Sequence, residues 1–309
     1  GTKTTRVAIS CSKSWVILQG DLSFWPETNF HRESVSNPIQ SRGLNEHTDE
    51  EKNMILKTEA VVLKTINQGD TSKIATLYSR EQGRIKMIAK GVRNTKSRYL
   101  GLLDPVQHVE VLFYEKSNSD LQLFKSGEIV QSYYTLHKDF DRLAFAQVAM
   151  EFIERAAEKT EPHPELFEII IGTLASLDNP KIMPVKSYWY FHLRCLGELG
   201  FRFDAFRCHQ CKTTLVGTGA VYHRPDAAIY CTACSPTPDE RFIINLSPRT
   251  MAIMQMIDGE NWPGIQQVIT TLSDRRSLWD FIWHYTKVHL PPIEQMKSLA
   301  VLEQIYHHA

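Results

Sequence analysis

The sequence predicts an α+β protein: a small N-terminal β-barrel followed by an α-helical bundle that carries an inserted four-cysteine hairpin. Three observations predict it. Short alternating apolar runs succeed one another from Met54 to about Thr135. From Asp139 the apolar period becomes helical, and two Cys-x-x-Cys pairs then interrupt the helical part.

The bulk numbers narrow the function classes. A chain of 309 residues, 42% hydrophobic and 23% charged, is an ordinary globular sequence long enough for two or three domains. Its 35 basic and 35 acidic residues cancel, so a polyanion or membrane partner must be argued from a local patch. No apolar run approaches the length of a membrane span, and no membrane partner is expected. Lys3 and Arg6 precede Val7-Ala8-Ile9, but Ser10 to Ser14 break any secretory core. Six cysteines are too few for a disulfide scaffold in a chain this long. Cys11 and Cys195 stand alone, and a reduced, cytoplasmic compartment is expected.

Residues 1–53 are rich in Ser, Thr and Asn, without a sustained period, and end in the polar run Asn45 to Glu51. They are predicted to be a disordered N-terminal extension, with Met54 as the functional start. The barrel is predicted over 54–135. Its strand signals are Ile55–Leu63, Ile74–Tyr78, Arg84–Met87 and Val109–Phe113, with Leu121–Phe124 and Glu128–Gln131 closing the series. Turns fall at Gln68-Gly69-Asp70, Glu81-Gln82-Gly83 and Ser117 to Asp120. About eighty residues with strands so spaced fit a five-stranded OB-type barrel.

The helical domain is predicted over 136–309. Leu143, Ala146, Met150, Ile153 and Ala157 follow helical spacing. Pro164 opens a helix to Leu177, and Val185 opens another to Leu199, stopped by Gly200. Helices resume after residue 234. Ser247-Pro248 reads as an N-cap with proline in the first turn, Trp279 to Val288 forms a helix, and Pro291-Pro292 precedes the last one.

The strongest local signal is Cys208-His209-Gln210-Cys211, nineteen residues, then Cys231-Thr232-Ala233-Cys234. Two such knuckles, brought together by a hairpin over 208–234, can aim four thiolates at one ion. Zn²⁺ suits that soft, closed donor set, so one structural zinc per chain is predicted at Cys208, Cys211, Cys231 and Cys234. Leu215-Val216, Ala220 to Tyr222 and Ile229-Tyr230 supply the hairpin, while Arg207, Lys212 and Arg224 can offset the thiolate charge. A thioredoxin-like redox pair fits two pairs poorly. A zinc deaminase would need Pro before a pair, where Arg207 and Tyr230 stand. A disulfide-linked or metal-free hairpin stays open. His209 and His223 read as exposed loop histidines, and Cys195 as a small buried hydrophobe.

Arg84, Lys86, Lys90, Arg93, Lys96 and Arg98 place six positive charges, and no negative ones, between residues 84 and 98. Arg84 and Lys86 alternate with Ile85 and Met87, so both should face outward. Lys90 to Arg98 reads as a flexible charged loop, able to track a phosphate backbone beside the barrel, with Tyr99 and Tyr78 available to stack on bases. The plain alternative is a solvated strand and loop.

Met54-Ile55-Leu56-Lys57-Thr58-Glu59-Ala60-Val61-Val62-Leu63, Gly69-Asp70-Thr71-Ser72-Lys73 and Gly83-Arg84 together resemble the N-terminal barrel of the RecO family of bacterial repair proteins. Ala89-Lys90-Gly91-Val92-Arg93 with Lys96-Ser97-Arg98 is similar to its basic loop, and Leu193 to Phe201, running into Cys208, to its approach to the metal hairpin. Lys297-Ser298-Leu299 is similar to its last helix. The resemblance covers 54–309 in order. Residues 1–53 have no counterpart, and Asp226-Ala227-Ala228 replaces a glycine-rich approach to the second cysteine pair.

What the resemblance implies is a mediator of DNA repair and homologous recombination, not an enzyme. Such a protein would bind single- and double-stranded DNA, anneal complementary strands and contact the C-terminal tail of single-strand-binding protein. With RecR it would help load RecA, working in the cytoplasm at the nucleoid. The sequence shows no Walker phosphate loop and no catalytic triad motif. The competing reading is a zinc-containing module that binds RNA or protein. His192, His284 and His289 lie in apolar helical contexts and read as satisfied core histidines.

Overall fold

The structure, a computed structural model, describes residues 54–116, 119–157, 162–291, 293 and 296–307. The expectations for residues 1–53, for Ser117-Asn118 and for Pro292 lie outside the described residues.

Strands β1 (Ile55–Gln68), β2 (Ser72–Ser79), β3 (Gly83–Ala89), β4 (His108–Tyr114) and β5 (Leu121–Gln131) form a closed barrel in the order β1-β2-β3-β5-β4. Closure depends on the length of β1, whose first half pairs with β4 and whose second half pairs with β2. A parallel β3–β5 pairing completes the ring, so no ladder is left as a sticky edge. Val62, Leu77, Met87, Val111 and Phe113 alternate into its core. The turns need left-handed backbone at Gly69 (φ +58°) and Gly83 (φ +63°), which glycine adopts without a steric penalty.

The two strand signals at Leu121–Phe124 and Glu128–Gln131 are one continuous strand, β5. Gly127 separates them in sequence and joins them in space. A Cβ there would sit 2.7 Å from the Glu110 carbonyl oxygen, so glycine is what lets β5 lie against β4.

Helices α1 (Tyr134–Lys138), α2 (Phe140–Ala156), α3 (Pro164–Asp178) and α4 (Pro184–Glu198) follow the barrel. Asp139 caps α2 by accepting from the backbone N–H groups of Asp141 and Arg142, and Gly200 (φ +88°) lies just beyond α4. α2 is more deeply buried than one apolar stripe predicts. Ala144, Phe145, Val148, Ala149 and Phe152 are buried alongside Ala146, Met150 and Ile153, because the helix packs against β1, α3, α4 and the last helix. Leu143, expected in that stripe, is only half-buried. The buried Arg142 guanidinium donates to the carbonyls of Leu177, Asn179, Pro180 and Ile182, knotting the α3–α4 connection to α2.

The cysteine insert is a three-stranded sheet: β6 (Ala220–His223) between β7 (Ala228–Tyr230) and β8 (Ile243–Leu246). The expectation that only helices follow residue 234 is corrected by β8, which pairs with β6 before α5 begins. α5 (Pro248–Asp258) has the predicted Ser247 cap, whose side chain accepts from the Thr250 N–H. α6 (Trp262–Gln267), α7 (Leu272–His289) and α8 (Lys297–His307) complete the chain. Among the described residues no helix is long and apolar enough to cross a membrane.

Candidate metal centre and nucleic-acid interface

The first knuckle forms where the chain leaves α4. The Cys208 N–H donates to the Thr213 carbonyl (2.9 Å) and the Lys212 N–H returns to the Cys208 carbonyl (3.1 Å). Lys212 takes left-handed backbone (φ +59°) to close that turn. The His209 N–H donates to the Ile229 carbonyl (2.8 Å), which ties this knuckle to β7. The second knuckle follows β7 in a single 3₁₀ turn over Thr232–Cys234.

These turns bring the sulfurs of Cys208, Cys211, Cys231 and Cys234 within 4.8 Å of one another. Cys211 and Cys231 Sγ lie 3.8 Å apart. Four thiolates about 2.3 Å from one Zn²⁺ would be separated by about 3.8 Å, whereas a disulfide needs about 2.05 Å. The donor set therefore fits a closed tetrahedral metal site and is not disulfide-bonded. Local electrostatics favour thiolate at the first pair. The Thr213 hydroxyl and N–H bring the Cys211 thiol down to about 6. Burial pushes Cys208 up, but the N–H groups of Cys231, Cys211 and Gln210 outweigh it and hold the thiol below its ordinary value.

His209 is exposed, as expected. His223 is not: it is buried on β6, with Nδ1 2.7 Å from an Asp226 carboxylate oxygen that also accepts from the Tyr230 hydroxyl. Lys212 turns its ammonium to the His209 carbonyl, at 2.7 Å. The insert is braced on the helices as well. Gln255 of α5 donates to the Ala205 carbonyl, and the Tyr222 hydroxyl lies 2.8 Å from His284 Nδ1 of α7.

The basic stretch divides into three. Arg84 does not point freely outward: it is half-buried and donates to the Glu154 carbonyl at the end of α2, fastening the barrel to the helices. Arg93 holds the loop to the β1–β2 turn, its N–H donating to the Thr71 carbonyl (2.9 Å) and its Nη1 to the Gly69 carbonyl (3.1 Å). Lys86, Lys90, Lys96 and Arg98 are exposed.

The connection expected to be flexible is a chain of hydrogen-bonded turns. Asn94 N–H donates to the Gly91 carbonyl, Ser97 to Asn94, Leu100 to Ser97 and Leu102 to Tyr99. Val92, Leu102 and Leu103 are buried in the barrel core beneath it. Of the two tyrosines considered for stacking, Tyr78 is fully buried. Tyr99 remains, edge-on to Phe124 (5.2 Å) with the Arg98 guanidinium 4.6 Å above its ring.

Cys195 is buried, and burial pushes its thiol well up. His192 is a satisfied core histidine: Nδ1 lies 2.8 Å from the Tyr188 hydroxyl and Nε2 lies 2.8 Å from Thr286 Oγ1. His284 and His289 are only half-buried. The sequence reading missed the carboxylates of Glu110 and Glu128, which face each other across β4 and β5. Their outward positions on alternating strands were the available signal.

Fold and site define a class: OB-type barrel proteins whose helical part carries a closed four-cysteine metal knuckle. The family pattern described as Recombination protein O N terminal matches residues 54–133, and that described as Recombination protein O C terminal matches 137–300. The chain belongs to the RecO family. It is 27% identical over 260 residues to a DNA repair protein RecO of Pelodictyon phaeoclathratiforme, covering 82% of this chain and 99% of that one. It is 26% identical to the protein of the same name from Syntrophus aciditrophicus, covering 81% and 95%. Against that of Chlorobium limicola it is 34% identical over 155 residues, covering 50% and 59%.

Proposed function

We propose that this chain is a DNA repair and recombination mediator that acts by binding, not by catalysis. It holds single- and double-stranded DNA, anneals complementary strands, contacts the C-terminal tail of single-strand-binding protein, and with RecR helps load RecA. The observation that carries the reading is the preorganised loop, which presents Lys90, Lys96 and Arg98 to solvent beside the closed barrel, with Lys86 exposed on β3. Cations on a fixed frame gain phosphate contacts with little ordering entropy lost on binding. Arg93 supports by pinning the loop, and Arg84 by fixing the barrel on α2.

One Zn²⁺ per chain, held by Cys208, Cys211, Cys231 and Cys234, would serve folding: a fourfold thiolate site leaves no open position for a substrate. We also propose the division into an extension over 1–53, a barrel over 54–135 and a helical domain over 136–309 with its insert at 208–234. A mediator of this kind works in the cytoplasm, at the nucleoid.

The test is annealing of complementary strands coated with single-strand-binding protein, with RNA strands as the comparison. Acceleration of DNA annealing is expected. Failure there, with binding that favours RNA or ignores salt, would select the zinc-containing RNA- or protein-binding module instead.

A further inference from the structure

Between the loop and the outer face of β4–β5 lies an open cleft of about 370 Å³, lined by Arg98, Tyr99, Glu110, Leu112, Ser126 and Glu128. Its chemistry is unlike that of the loop above it. One wall is the Tyr99 ring with the Arg98 guanidinium stacked on it, a flat platform of the kind on which an unpaired base can lie. The ring is held edge-on against Phe124, so its orientation is set before any ligand arrives. The floor is Leu112, and the far side carries two carboxylates. Glu110 and Glu128 are direct cross-strand partners. Lys57 takes Glu110 at 2.7 Å, while Glu128 is exposed and has no contact ion pair among the described residues.

These features sort the parts of a nucleic-acid strand. Phosphates are attracted to Lys90 and Lys96 and to the outward edge of the Arg98 guanidinium, and are disfavoured beside the exposed Glu128, so the backbone is drawn along the rim of the cleft on the loop side. A base turned off the backbone meets the stacking platform and the carboxylate together. A carboxylate accepts from an exocyclic amino group such as cytosine N4, whereas an unpaired thymine offers it only N3–H, flanked by two carbonyl oxygens that repel the second carboxylate oxygen.

We propose that this cleft receives one unpaired nucleobase of the strand held by the loop, stacked on Tyr99 and Arg98, with an amino-bearing base such as cytosine preferred over thymine through Glu128. This rests on the loop being the DNA path and adds base selection to it.

The experiment compares the full chain binding oligo-dC, oligo-dT and an abasic strand of equal length, across a salt series, with Glu128→Ala alongside. The expected order is dC, then dT, then abasic, with dC about three- to tenfold tighter than dT. Glu128→Ala should bring dC and dT level while leaving the salt slope intact. Equal affinity for dC and dT in the unaltered chain would overturn the inference, as would a preference that persists in Glu128→Ala. In either case an intact salt slope would leave the loop reading standing. Absence of salt-dependent binding to any strand would overturn both.

Discussion

Glu151, near the end of α2, caps the N-terminus of α8 through Ser298: one carboxylate oxygen accepts from the Ser298 N–H at 2.8 Å and from its hydroxyl at 2.6 Å. The other oxygen accepts from the Lys297 N–H at 3.1 Å and from Arg155 at 2.8 Å. The second helix after the barrel thus supplies the cap of α8, where unpaired N–H groups attract an anion.

Glu151→Ala is expected to lower stability by about 2 kcal/mol, since it removes charged hydrogen bonds at a half-buried site. Urea unfolding of the two proteins measures it, and faster proteolysis within α8 should accompany the loss. Burial pushes this carboxyl up, but the Ser298, Lys297 and Arg155 donors outweigh it and hold it below the ordinary range. Its contribution is therefore complete above the unfolded carboxylate range and disappears as acid protonates the folded state.

His192 predicts a second acid effect with a different window. Burial lowers its imidazole to about 3, against about 6.5 in the unfolded chain. A depressed base binds its proton more readily when unfolded, so stability is full above about pH 6.5 and falls below it. From His192 alone the fall should be about 2 kcal/mol between pH 6.5 and 5, at about 1.4 kcal/mol per pH unit. Burial also lowers His108 and His284, which steepens the total. Denaturation midpoints at pH 7 and pH 5 for the natural chain and His192→Gln isolate the His192 share. The variant's pH dependence should be shallower.

Purified under reducing conditions, the chain should contain one zinc per molecule. Cys231→Ser should lose it and aggregate or melt lower, because metal binding contributes directly to folding of the insert. Elemental analysis with a thermal melt checks both, and a strong chelator should shift the natural protein toward the variant. A metal content well below one equivalent would show that the thiols serve otherwise.

For the loop, replacing Lys90, Lys96 and Arg98 together with Ala should flatten the slope of log affinity against log salt by about 2 on single strands, at about 0.7 per phosphate contact. Helix content and zinc content should be unchanged, because all three side chains are exposed. An unchanged slope would make the loop a charged surface only.

The barrel and most helices were legible because period and punctuation agreed: Gly69 and Gly83 in turns, Ser247 as a cap, Gly200 as a stop. What escaped has physical reasons. β8 is four residues long, too short to show a period, and its partner β6 lies some twenty residues back. The signals at Leu121–Phe124 and Glu128–Gln131 read as separate because sequence cannot show the Glu110 carbonyl that leaves no room for a Cβ at Gly127 between them. The outward direction of Arg84 followed from strand alternation, but nothing local reveals that the end of α2 comes within reach of its guanidinium. Ala227 stands at φ +50°, so the hairpin turn forms without the glycine its geometry favours. The cysteine cluster was the most legible part of the site, since its spacing alone encodes two knuckles.

The Glu151–Ser298 cap also sets a timetable for synthesis. The chain between Glu151 and Lys297 spans 146 residues. A ribosome adding about 5–20 residues per second needs roughly seven to thirty seconds to cross that gap. The barrel, whose strands all precede α2, can close while translation continues. α2 cannot, because one of its packing faces waits for α8. During that interval the face of α2 that packs on α8 has no partner within the chain already made, and it stays uncovered until the last helix has been synthesised.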